Sequence, residues 1–243
     1  NELDKTYSES LSLIENALKN SSKYTIPKVY FQEAVVGSEL ILFMLRNLSP
    51  RTPLFKALSS GEGIKDAKDN FLKVAESFYK DYNATIDENT LAAVLSLYAN
   101  DVPKEFQPEL LISLDDKYKG DFKKVASNYF KKSPFKSYDL FKAWLTSDKL
   151  SVKMIEKDLV YQLKNEFLDV YRAKVMTPNS AFDSDYKKGM RLFVDGLQKM
   201  GMNKASDANS TMRFTYGNVL SYKPADAVHY DFYTTLEGVM QKE

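Results

Sequence analysis

The chain has 243 residues with 34 basic and 33 acidic side chains, a formal net charge of +1, so no global field draws it to nucleic acid or an anionic membrane. Cysteine is absent, which excludes a disulfide framework, a thiolate nucleophile and any thiolate-held zinc or iron–sulfur centre. A single histidine, His229, excludes histidine-rich metal sites and would have to serve any Ser-His-Asp triad.

The elements follow from apolar spacing and breakers. Residues 4–20 predict an amphipathic helix carrying Leu11, Leu13, Ile14 and Leu18. A second is expected from Pro27, tolerated in a first turn, to Leu48. It contains the longest apolar run, Leu40-Ile41-Leu42-Phe43-Met44-Leu45. That run falls far short of the roughly 20 residues a membrane span needs, so it reads as a buried helix. Ser49-Pro50-Arg51-Thr52-Pro53 ends the second helix, and Gly61 and Gly63 mark a loop before a third over 64–82.

Asp87 is read as the N-cap of a helix over 88–100, followed by turns at Pro103 and Pro108. Helices are expected over 109–116, 121–132 and 138–146, the last capped by Ser137 and carrying Trp144. A long helix over 151–176 should stop at Pro178-Asn179-Ser180, and a final one over 183–200 leads to Gly201. The texture then changes. Thr211-Met212-Arg213-Phe214-Thr215-Tyr216 alternates polar and apolar residues as a strand does, Gly217-Asn218 is a turn signal, and Ala227–Tyr233 is a second strand candidate. A lone ribbon is marginal in water, so the tail is expected to complete a sheet supplied by sequence outside this chain. The opening at Asn1 and the closing Gln241-Lys242-Glu243 likewise read as the ends of a piece of a longer protein.

Candidate chemistry is sparse. Asp226 and Asp231 lie near His229, but strand neighbours point to opposite faces and no Gly-x-Ser-x-Gly elbow presents a nucleophile, so His229 reads as a half-exposed strand residue. The acid pairs Asp115-Asp116, Asp183/Asp185 and Asp87-Glu88 fall at expected helix ends, where carboxylates meet the dipole or water. Between Lys117 and Lys142 lysines alternate with aromatics such as Phe122, Tyr129 and Phe141. That pattern can bind single strands, but on helices it buries rings and solvates lysines, and no recognition motif accompanies it.

One segment is distinctive. Asp207-Ala208-Asn209-Ser210-Thr211-Met212-Arg213-Phe214-Thr215-Tyr216-Gly217-Asn218-Val219 and the stretches Tyr222–Val228 and Tyr233–Glu243 resemble a signature of the bacterial dipeptidyl-peptidase 7 and dipeptidyl-peptidase 11 family. Leu95–Pro103 with Phe106-Gln107-Pro108 resembles that family's helical region. The resemblance implies a large irregular helical domain inserted into a chymotrypsin-like double β-barrel, with the catalytic triad wholly outside this chain. His229 does not match the family's catalytic histidine.

The expected fold class is therefore mainly α: an irregular multi-helix cap domain, residues 1–205, with a short C-terminal β-hairpin in a return segment, residues 206–243. Asp207, Asn209, Arg213, Tyr216 and Gly217 are given structural roles in that return. No catalytic, substrate-binding, cofactor or metal residue is expected here. The resemblance implies a serine-type parent, periplasmic or on the cell surface, that releases dipeptides from peptide N-termini. Its implied partners are the peptide substrate, the catalytic barrel and, in complete enzymes, a second copy. Neither nucleic acid nor a membrane span is among them. The alternative is a non-catalytic helical binding or scaffold module of the cell envelope.

Overall fold

The computed structural model describes residues 7–202, 212 and 214–242. It separates into two compact units, Asn1–Lys199 and Met200–Glu243.

The first unit is helical. α1 (Ser10–Ser21) leads through a short 3₁₀ turn into α2 (Thr25–Val29), which runs on as a π-helical segment, Tyr30–Val35. The chain breaks at Gly37-Ser38, and α3 (Glu39–Asn47) carries the long apolar run. The single helix expected over 27–48 is thus two: Ser38 takes an extended ψ of 120° that no helix interior allows.

Pro53 does not merely stop a helix. It opens α4 (Pro53–Ser60), because its missing N–H is an orphan at a first helical position anyway. Gly61 closes α4 in the left-handed region, φ 80°, as a C-terminal glycine should. Next come α5 (Ile64–Tyr79), α6 (Ala84–Asp101), α7 (Glu109–Tyr118), α8 (Phe122–Lys132), α9 (Tyr138–Thr146) and α10 (Val152–Glu156). The cap of α6 is Asn83, whose Oδ1 accepts from Thr85 N at 3.0 Å and Ile86 N at 3.2 Å. Asp87 lies inside the helix instead. Ser137 stands before α9 but makes no side-chain cap bond.

The long helix is broken earlier than expected and not where Pro178 predicts. Asp158 caps a fresh start, α11 (Leu159–Val170), which passes through a π segment, Tyr171–Met176, into α12 (Thr177–Lys199). Thr177 N bonds back to Arg172 O, five residues away, so Pro178 sits where the ladder is changing register and its missing donor costs little. The two π segments meet: Phe31 and Tyr171 stack with centroids 4.1 Å apart, and Gln32 Nε2 donates to Tyr171 Oη at 2.9 Å.

One core runs through these helices. α5 buries Ala67, Phe71 and Ala75, one turn apart, while α9 contributes Phe141, Trp144 and Leu145. Phe43 stacks on Phe78 at 4.3 Å, and Phe71 meets Phe141 edge-on at 5.1 Å. Gln107, itself buried, donates Nε2 to Ala99 O at 2.9 Å and Val102 O at 2.6 Å, satisfying carbonyls the end of α6 leaves open. α1 packs on α12 differently from the apolar face expected of it. Leu11 and Leu18 are exposed, and the two helices come close at Gly189, where a Cβ would stand 2.8 Å from Ser10 O.

The second unit holds a two-stranded antiparallel hairpin, β1 (Tyr222–Ala225) with β2 (Val228–Tyr230), then a short α13 (Leu236–Met240). Tyr222 pairs with Tyr230 and Ala225 with Val228. The turn is Asp226-Ala227, Ala227 taking a positive φ of 62°. The strand expected over 211–216 is not formed in its described part. Met212 and Phe214–Tyr216 are extended-or-irregular chain without ladder bonds, since alternation marks a strand only where a second edge accepts its hydrogen bonds. The hairpin turn therefore lies at 226–227, not at Gly217-Asn218.

Candidate functional site

α3 is set into the core of the first unit, with Leu40, Ile41, Phe43 and Met44 buried. A buried helix cannot leave its terminal amides and carbonyls to water, so other elements must satisfy them. Asp87, 2% exposed, does so at the start: its carboxylate accepts from Glu39 N at 3.0 Å and Leu40 N at 2.9 Å, and Tyr82 Oη donates to it at 3.2 Å. Burial first, and the Asp87 charge next, push the Tyr82 phenol well above its ordinary pKa, so it stays a donor. Ser38 stands at the usual capping position, yet its buried hydroxyl makes no such bond, and Asp87 holds the Glu39 and Leu40 amides in its stead.

The other end mirrors this with opposite charge. Lys164 of α11 donates Nζ to Leu48 O at 3.0 Å, and the ammonium lies 4.0 Å from the centroid of the Tyr161 ring. Anion at the N-terminus and cation at the C-terminus both complement the α3 dipole. Lys164 is 2% exposed, and desolvation pulls its ammonium down to about 8, with Asp169 opposing that shift and Arg172 adding to it.

Beyond Lys164 the α3 end opens into a cleft of about 430 Å³. Its lining includes Arg51 of the α3–α4 loop, Asn165 and Asp169 of α11, Arg172 of the π segment that follows, and the apolar Phe55 and Leu168. An ammonium has three donors, and Leu48 O takes one, so the cleft is where the others can be met. Chemically it can hold and orient an anion; its lining has no imidazole or thiol to act as nucleophile or base.

Apart from Asp87, the side chains singled out from sequence are not gathered into any such site. His229 lies half-exposed on β2, its Nδ1 3.4 Å from Asp231 Oδ1. Asp115 and Asp116 lie in the last turn of α7; Asp183 and Asp185 are exposed in the interior of α12, not at a helix end. Phe122, Tyr129, Phe130, Phe135 and Phe141 point into the core while Lys123, Lys124, Lys131, Lys132 and Lys142 are exposed, so these rings are not open to stacking. Burial drives the Tyr129 phenol up to about 12. Tyr216 is fully exposed, and a Cβ at Gly217 would meet nothing within 4 Å. Asp207, Asn209 and Arg213 lie outside the described residues.

Lys164 escaped the sequence reading although its signal was there: it falls on the stripe of Val160, Leu163 and Phe167 that α11 buries. A lysine on an apolar face either snorkels or finds a buried acceptor.

All of residues 1–243 match the family described as peptidase S46. The chain belongs to the peptidase S46 family. Its S46 relatives include dipeptidyl-peptidase 7 of Porphyromonas gingivalis, 34% identical over 243 residues, 98% of this chain and 32% of the relative. The Asp/Glu-specific dipeptidyl-peptidase of Flavobacterium psychrophilum is 30% identical over 240 residues, 97% of this chain and 32% of that one. A crystal structure of Porphyromonas endodontalis DPP11 with the dipeptide Arg-Glu matches at a TM-score of 0.65 and 26% identity, over 98% of this chain and 34% of its own. The chain thus spans about a third of the length of the S46 proteins it matches.

Proposed function

We propose that this chain is the helical domain covering the active-site cleft of a serine-type dipeptidyl aminopeptidase, and that it is catalytically incomplete alone. One observation carries the reading: the segment Phe214–Met240 folds no core of its own. Phe214, Tyr216, Leu220, Phe232 and Leu236 are all more than half exposed. A ribbon so short and so apolar needs a surface to cover it. The length left over in the S46 relatives is where that surface would come from.

The names of the relatives support the reaction class, and the dipeptide in the DPP11 complex supports the substrate class. In such an enzyme a helical lid would block longer upstream extensions and desolvate the free peptide N-terminus, whose ammonium must then meet protein acceptors. The exposed His229–Asp231 pair takes no part in catalysis under this reading. The same reading puts the parent in the periplasm or at the cell surface, which fractionation of tagged cells checks.

The deciding experiment compares dipeptide release from a free and an N-acetylated peptide, using the 243 residues alone and the complete parent. The parent should cut only the free peptide and the isolated chain neither. Release by the isolated chain, or a parent without peptidase activity, overturns the proposal; the latter outcome favours a scaffold of the cell envelope.

A further inference from the structure

The cleft at the C-terminal end of α3 has a charge pattern that the structural role of Lys164 does not use up. Three cations line it: Lys164 of α11, Arg51 from the α3–α4 loop and Arg172 from the π segment after α11. Two acids, Glu156 of α10 and Asp169 of α11, stand against them, leaving a local charge of one positive unit (three minus two). Capping the Leu48 carbonyl would need only one donor of Lys164 and neither arginine.

We propose that this cleft binds a peptide carboxylate, an acidic side chain or a free C-terminus, seated on the Lys164 ammonium and flanked by the Arg51 and Arg172 guanidinium groups. The carboxylate would accept from the donors of Lys164 that Leu48 leaves free, and the guanidinium forks suit its two oxygens. A buried ammonium with one carbonyl and one ring face for partners gains most from a counter-charge delivered into the same low-dielectric space. The charge count selects a monoanion. A phosphate dianion would exceed the single positive unit and face Glu156 and Asp169 as well. The apolar share of the wall, Leu45, Pro50, Phe55 and Leu168, suits the hydrocarbon that accompanies a peptide carboxylate.

The site lies wholly within this chain and stands or falls apart from the proposed parent activity. The test titrates the 243-residue chain, carrying ¹³C-labelled lysine, with three probes while the Lys164 Cε resonance is followed by NMR. N-acetyl-glutamate α-amide offers only a side-chain carboxylate, N-acetyl-alanyl-alanine only a terminal one, and inorganic phosphate offers neither. The Lys164 signal should move saturably with at least one carboxylate probe, and which one identifies the source. Arg172→Gln and Arg51→Gln, both changes at exposed rim positions, should weaken that binding roughly tenfold or more while leaving the melting temperature in place. Lys164→Met should abolish it and assigns the resonance; should that variant unfold, the two arginine variants carry the test alone. A signal that does not saturate, binding unchanged in both arginine variants, or saturation by phosphate alone would each overturn the assignment.

Discussion

Phe141 and Tyr216 are both aromatic residues in segments with clear amphipathic patterning, yet one is 0% exposed and the other 100%. Phe141 belongs to the first unit, where Phe43, Phe71, Phe135 and Trp144 surround it. Tyr216 belongs to the second, where the hairpin and α13 bury no residue at all. The difference teaches that a pattern of apolar residues states a demand for burial without saying who meets it. In the first unit helices well separated in the chain, α3 and α5 against α9, meet it; in the second nothing within the described residues does.

That contrast can be broken or sharpened by substitution. Phe141→Ala should cost about 4 kcal/mol, since it empties a fully enclosed ring site. Thermal unfolding followed by circular dichroism at 222 nm should show Tm lowered by roughly 10 °C. Asp87→Ala comes next at about 3 kcal/mol, because it strands two amides of α3, that of Leu40 buried and that of Glu39 half-buried, and the Tyr82 hydroxyl. A guanidinium titration with unchanged slope and a lower midpoint is the expected signature.

The third effect is one of pH. The Lys164 ammonium loses its proton near 8 in the folded chain against 10.5 as the ordinary value, so between these limits the unfolded chain holds more protons. Stability then rises with pH across that window, and below it the cost of burying the charged lysine is present in full. Lys164→Met should remove this rising contribution, read as the difference between the two proteins' denaturation midpoints from pH 8 to pH 10.5. Smallest of all, Tyr216→Ala should leave the melting of the 243 residues within about 0.5 kcal/mol. A large loss there would mean that the aromatic side chain is covered within this chain and the contrast is false.

The helices were legible where the period was strong: 64–82 against Ile64–Tyr79, 121–132 against Phe122–Lys132, 138–146 against Tyr138–Thr146. Proline was the weaker guide. Pro53 begins α4 and Pro178 sits inside a continuing helix, because a proline forbids a bond only where the ladder would have made one. Asp87 illustrates the same limit from the other side. Its placement before a helix made it a local cap, but Asn83 fills that role, and Asp87 caps α3, 48 residues earlier in the chain. Nor does sequence spacing bring Lys164 to Leu48, 116 positions away.

What the sequence determined by itself was local: helix content, the apolar faces, the absence of a thiol or multi-histidine centre, and a tail of a different texture. These follow from steric preference, periodicity and composition, which act over a few residues. Only the tertiary structure decided which polar groups are buried, which helix end each one satisfies and where a cleft opens. Those outcomes depend on through-space contact between distant segments, and the free energy of a buried charge is set by whatever partner the fold places beside it.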